Sequence, residues 1–352
     1  MTPKGMRRWV SAPAAIAGLL LAAPAALAHG AVPAGPPTPA SLLLGWTFDP
    51  LPTLGIAVAT GLWVWAVRRV NAAHPHNPVP RARSVAFLAA MVALAFALLS
   101  GIALYDTALF SIHMVQHVLL MLVAAPLVAL AAPITLLLRV SSPGTRRGVV
   151  LPILHSRVMR VLAFPVVAWL VFAVVTWVAH FSPLFDAALE DPLVHQLEHA
   201  LFFAAALLFW WPAVALDPAP WRMGYPARIG YVFLQGTQNT LLAVVLLSAT
   251  AVLYPHYETI VRNWGIPALE DQRLAAGIMW IVGDLIFLGA TMLLVAGWMR
   301  AEAKATARHD RRAAQEMPAI RERERRLAER LAAERGTAAD PGQASSGTGA
   351  SR

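Results

Sequence analysis

Two histidine pairs recur at the same spacing in separate parts of the chain. His113 and His117 lie in Ser111-Ile112-His113-Met114-Val115-Gln116-His117, and His195 and His199 lie in His195-Gln196-Leu197-Glu198-His199. On a helix, a separation of four residues places both imidazoles on one face, about 6 Å apart along the axis. Neutral imidazoles so placed can share a metal ion. His180 ends another apolar stretch, and Met114 adds a thioether beside His113. The chain has no cysteine, which excludes disulfides, iron–sulfur clusters and thiolate metal sites. Imidazole, thioether and carboxylate without thiolate suit copper or a harder divalent ion. The candidate metal ligands are therefore His113, His117, His180, His195, His199 and Met114. One i,i+4 pair alone is commonly incidental, and a histidine at a helix end commonly makes an interfacial hydrogen bond, which is the reading for His256. Two pairs on one side of the molecule, with His180 between them in sequence, are what point to a site.

The elements that position these residues follow from composition. Of 352 residues, 58% are hydrophobic and 13% charged, against about 25% charged in a soluble domain. Residues 300–352 hold 12 of the 28 Lys+Arg and 8 of the 19 Asp+Glu, so the first 299 residues are drier still. This is the composition of an integral membrane protein. The net charge of +9 is no sign of a nucleic-acid partner, because the basic residues fall in short loops and one tail. Apolar segments at about 51–67, 84–104, 113–138, 161–180, 193–215, 228–251 and 274–299 each approach the ~20 residues that cross a bilayer as a helix. The expected fold is all-α, a bundle of seven transmembrane helices. Pro126, Pro133 and Pro165 interrupt spans and are candidate kinks.

Loop charge sets the orientation. Alternate loops carry eleven arginines: Arg68, Arg69, Arg81 and Arg83; Arg139, Arg146, Arg147, Arg157 and Arg160; and Arg222 and Arg228. The opposite loops carry two, Arg262 and Arg273. The N-terminus is expected outside and the C-terminus in the cytoplasm, which puts both histidine pairs at the outer membrane face. Residues 1–28 read as a cleaved signal peptide, with Lys4, Arg7 and Arg8 before an apolar run and Ala26-Leu27-Ala28 as the cleavage site. Residues 29–50 read as an extracytoplasmic leader, 51–299 as the membrane domain, 300–335 as a charged cytoplasmic helix and 336–352 as a disordered tail. Acidic residues gather on the histidine side, among them Asp106, Glu198 and Asp271; Asp217 is in an inner loop and Asp284 is deep in the last span. Asp284 is either functional or hydrogen-bonded to a neighbouring helix.

Several segments resemble the polytopic CtaG-type cytochrome c oxidase assembly factors. They are His113-Met114-Val115-Gln116-His117 followed by Ala124-Ala125-Pro126-Leu127, His195-Gln196-Leu197-Glu198-His199 leading to Phe209-Trp210-Trp211-Pro212, and Asp271-Gln272 before Gly277-Ile278-Met279-Trp280. The resemblance covers about residues 45–300. The single-span copper chaperone sometimes given the same label depends on cysteines, which this chain lacks. The resemblance implies a non-enzymatic role in assembling a haem–copper oxidase in the plasma membrane, with oxidase subunits and the lipid bilayer as partners and copper handled at the histidine cluster. Three other classes stay open at this point. One is an electron-transfer protein with haem between His117 and His199, one is a metal or ion transporter with Asp284 on its path, and the third, ranked lower, is a histidine-box di-iron enzyme, a class that usually has more boxes and has them on the cytoplasmic face. A retinal protein is excluded, because the only lysines are Lys4 and Lys304 and no span offers a Schiff-base amine.

The arginine asymmetry makes a direct prediction. A reporter fused after Arg300 is expected in the cytoplasm and one inserted in the 254–264 loop outside. An external tail would overturn the placement of every histidine pair.

Overall fold

The computed structural model describes residues 32–338, with side chains through residue 335. The signal peptide assigned to residues 1–28 and the chain beyond residue 338 lie outside the described residues. The structure is helical, with no strand among the described residues. Its principal helices are α1 (Pro50–Ala73), α2 (Arg81–Leu99), α3 (Phe110–Val118), α4 (Ala125–Ala131), α5 (Pro133–Val140), α6 (Pro165–His180), α7 (Leu184–Glu190), α8 (Pro192–Val214), α9 (Tyr225–Leu247) and α10 (Ala268–Ala338). The described residues up to Leu294 form one compact unit and those from Val295 a second.

Proline and acidic residues start these helices for local reasons. Asp49 caps α1, its carboxylate accepting from the Leu51 N–H at 3.1 Å, and Asp191 caps α8 by accepting from Leu193 and Val194. In both helices the following proline occupies the first position, where its missing N–H costs nothing. Pro165 likewise begins α6, and so does not kink a helix interior. Span four therefore starts later than the apolar run from 161 suggests, because Arg157–Leu162 is a separate short helix. At 16 residues α6 is too short to span alone; it passes only together with α7, to which it is bent by 68°. Six helices are long and apolar enough to cross a membrane, or seven if this bent pair is one span. The chain is a multi-pass membrane protein.

The third span is not one regular helix. Between α3 and α4 the chain widens into a π-helix, Leu119–Ala124, and between α4 and α5 Ala132 turns left-handed, at φ 56°, ahead of Pro133. Pro126 explains the widening. It has no N–H and its ring crowds the carbonyl one turn back. The Ala125 N–H bonds to the Leu120 carbonyl, so the Met121 carbonyl has no helical donor. The Trp210 indole N–H of α8 supplies one at 3.0 Å. Around this joint Phe172, Phe202, Phe209 and Phe287 pack into one apolar core.

α2 and α8 pack against α4, α6 packs against α8, and α1 packs against α2 and α5. Asp217, the inner-loop acid, is buried and caps α5 from outside the helix, accepting from the Ile134 N–H, the Thr135 N–H and the Thr135 hydroxyl at 2.6–3.0 Å. Asp284 of α10 accepts from Asn239 at 3.1 Å and Thr240 at 2.5 Å on α9. Within the second unit, Glu322 pairs with Arg325 and Arg326 one helical turn away, exposed contacts worth a few tenths of a kcal/mol.

Trp210→Phe is expected to destabilise the protein by about 1–3 kcal/mol, because it leaves the Met121 carbonyl buried without a donor while keeping an aromatic ring. Thermal denaturation in detergent measures this; an unchanged midpoint would mean that water or a bifurcated helix bond supplies the donor.

Candidate functional site

Both histidine pairs fold onto helix ends that meet. His113 and His117 lie one turn apart on α3, with ring centroids 4.2 Å apart, and His195 and His199 lie one turn apart on α8 at 4.1 Å. The pairs face each other. His113 stacks on His195 at 5.3 Å, and His117 meets His199 edge-on at 5.9 Å. His180, at the end of α6, stands 6.4 Å from His117. Phe185 and Phe202 wall the cluster, with Phe202 4.6 Å from His117 and Phe185 4.9 Å from His113.

Two carboxylates enter this histidine set. Glu198 of α8 reaches His113 Nε2 at 3.9 Å, and Asp106 reaches His195 Nε2 at 3.9 Å. The donor atoms of His113, His117 and Glu198 all lie within 4.8 Å of one another. His113 and His117 are completely buried, and Glu198 is only 2% exposed. Among the described residues, both ring nitrogens of His113 and of His117, both oxygens of Glu198 and Nε2 of His180 have no hydrogen-bond partner. The other His180 nitrogen, Nδ1, donates to the Thr176 carbonyl at 2.7 Å, which leaves Nε2 as a lone-pair donor. Asp106 sits just past the end of the second span; burial pushes its carboxyl up to about 7, against the Gln116 amide and Thr107 N–H that stabilise its charge. The buried imidazoles of His113 and His117, His180 Nε2 and the Glu198 carboxylate, with no hydrogen-bonding group aimed at them among the described residues, fit a cation.

The surrounding groups hold this set in place. Asp271 accepts from the Ser111 N–H at 3.3 Å and so caps the helix that carries His113 and His117. Gln272 accepts from Leu253. Tyr257 donates to the Asp106 carbonyl at 2.9 Å and Tyr254 to the His180 carbonyl at 3.2 Å; burial holds both phenols protonated. His256 donates to the Thr107 carbonyl at 3.1 Å, the hydrogen-bonded role read from its position. The Gln116 amide N–H donates to the Ala97 carbonyl at 2.9 Å, so its oxygen faces His199 Nε2 at 3.0 Å.

The structure thus brings together His113, His117, His180, His195 and His199. Met114 points elsewhere, into an apolar cluster with Phe110, Leu242 and Met279, because a residue next to His113 lies about 100° around the helix. Glu198 and Asp106 were among the acids on this side, yet neither belongs to the set read from spacing. Glu198 had a signal: it follows His195 by three residues and shares its helix face. Asp106 had none, since only the tertiary fold brings the end of the second span against α8.

A multi-pass helical membrane protein with a buried histidine–carboxylate cluster at one end of its bundle is the class that fold and site define. The chain belongs to the cytochrome c oxidase caa3 assembly factor (Caa3_CtaG) family, whose model matches residues 61–301. It is similar to uncharacterized proteins of Mycobacterium bovis (strain ATCC BAA-935 / AF2122/97) and Mycobacterium tuberculosis (strain CDC 1551 / Oshkosh), each 32% identical over 289 residues. A protein of Mycobacterium leprae (strain TN), also uncharacterized, is 30% identical over 291 residues. These matches cover 79% of this chain and 43% of each relative, so the chain spans less than half the length of the curated relatives it matches. No solved structure matches.

The Gln116 geometry fixes a tautomer. His199 is expected to carry its proton on Nε2, donating to Gln116, with Nδ1 basic. Side-chain ¹⁵N shifts of chelator-treated, histidine-labelled protein report this, and an Nδ1–H tautomer would contradict it. Gln116→Leu is expected to abolish the preference and cost about 1–3 kcal/mol of stability.

Proposed function

We propose that this protein serves the assembly of a haem–copper cytochrome c oxidase in the plasma membrane, and that its histidine–carboxylate cluster holds the metal ion handled in that work. Family membership supports the assembly role. The observation that carries the metal reading is the convergence of His113, His117 and Glu198, buried and without hydrogen-bond partners. An ion with bonds of about 2.0–2.2 Å needs its donors closer than 4.8 Å, so side-chain rotations draw them in on binding. His180 Nε2, His195 and His199 stand ready to complete the shell. Imidazole with carboxylate and no thiolate favours copper among the available ions and gives an affinity that permits release. The metal is cargo in this reading. The arginine asymmetry of the loops supports an outward-facing site, where an oxidase subunit docks to receive the ion. The chain's own residues bind and release, and no catalytic group is assigned.

The haem alternative finds less support. The rings of His113 and Phe202 stand 4.2 and 4.6 Å from His117 and occupy the space that a porphyrin between His117 and His199 needs. Transport through Asp284 also finds less, since Asn239 and Thr240 hydrogen-bond its carboxylate.

The test is copper content and assembled oxidase in variants. His117→Ala and His199→Ala are expected to weaken copper binding at least about tenfold, the scale on which even outer-shell changes act, and to lower assembled oxidase at normal protein level. His74→Ala and His155→Ala, in arginine-side loops, are expected to change neither. Normal copper and oxidase in the His117/His199 double variant would overturn the site.

A further inference from the structure

A cavity of about 440 Å³ adjoins the histidine cluster between α1, α2 and α8. Its walls are apolar along α1 and α2, where lining residues run from Phe87 to Leu98, about 16 Å at the helical rise. Polar lining gathers at one end, where Asp49, Asp106, Gln116, Gln196 and His199 stand close to the caps of these helices. Gln196 donates to Asp49 at 2.8 Å and ties α8 to the start of α1. Leu51, Gly55 and Ala200 line the cavity and are exposed, so it is open between two apolar spans.

We propose that this cavity binds a neutral, single-tailed membrane amphiphile of the isoprenoid quinone type, with its tail along α2 and its ring at the polar end. The volume falls within the ~300–1,000 Å³ of small-molecule sites. Charge selects the head. Among the described residues the ionisable lining groups are Asp49, Asp106 and His199, with no lysine or arginine. No cation among the described lining residues meets the charge of a phosphate or carboxylate head, which disfavours phospholipids and fatty acids. The second amide N–H of Gln116 and of Gln196 and the Gln196 carbonyl, beyond the bonds to Ala97 and Asp49, can exchange hydrogen bonds with ring carbonyls or hydroxyls. Along α1 the small residues Gly55 and Ala59 leave width for a methyl-branched tail. The site borders the histidine cluster and shares His199 with it, but it does not require a metal to be held there.

The experiment uses the full chain in nanodiscs of zwitterionic lipid and the short-tailed probe decylubiquinone, with binding read by equilibrium dialysis. Saturable one-to-one binding is expected, unaffected by chelator and not displaced by palmitate or phosphatidylglycerol. Gly55→Phe and Ala200→Phe are expected to weaken it about tenfold or more. A Cβ at Gly55 meets nothing within 4 Å, so that substitution enters open space rather than the fold. Copper content is read on the same variants; loss of the quinone with copper retained supports a separate site, so this proposal and the metal reading fail independently. Absent or non-saturable binding, binding that survives both substitutions, or displacement by the anionic lipids would each overturn the proposal.

Discussion

The most demanding feature of this structure is electrostatic. Five imidazoles and two carboxylates are packed at one end of an apolar bundle, and several of their polar atoms have no hydrogen-bond partner. Each such atom costs about 1–3 kcal/mol, and an ionised buried carboxylate costs several more. The arrangement must therefore be held from outside. Phe185 and Phe202 exclude water from one side, and α3, α6 and α8 present their histidines from helix turns that packing has already fixed. A cation among these lone pairs would offset the cost that the cluster imposes on the fold.

The polar residues around the cluster work mostly on helix ends. Asp191 starts α8, Asp271 caps α3, and Tyr254 and Tyr257 occupy carbonyls at the ends of neighbouring elements. Each satisfies a terminal backbone group that a membrane interior would leave costly. Gln116 links the backbone of α2 to the ring of His199. The family's motif residues thus divide into two kinds. Some supply donor atoms to the cluster, whereas Gln116, Asp271 and Gln272 set the helices and rings that aim them.

Elsewhere the same accounting gives acids and bulges structural meaning. Pro126 opens a π-turn, and Trp210 closes the bond that the turn frees. Asp217 and Asp284 both find donors across helix–helix contacts. The cavity beside α1 stands apart, because its polar end combines the α1 cap Asp49 with Asp106 past α2, Gln116 of α3, and Gln196 and His199 of α8, which no single segment contains.

Much of this was legible in residue order. Long apolar runs without charge must become helices in a bilayer, because backbone groups there can bond only within their own segment. The i,i+4 histidines had to share a face, because 3.6 residues make a turn. Hydropathy also placed the starts of α1 and α8 within one residue, at 51 and 193 against Pro50 and Pro192, though not their aspartate caps. It did not reach the fourth span, where Pro165 begins the helix after the apolar run has started and a 68° bend follows, since hydropathy measures composition and not direction. Nor could it separate Met114 from the cluster or admit Glu198 and Asp106. Which donors meet depends on how α3, α6 and α8 cross, and on how the chain past α2 turns to lay Asp106 against them. Those are properties of side-chain packing between distant segments, and only the tertiary structure decides them.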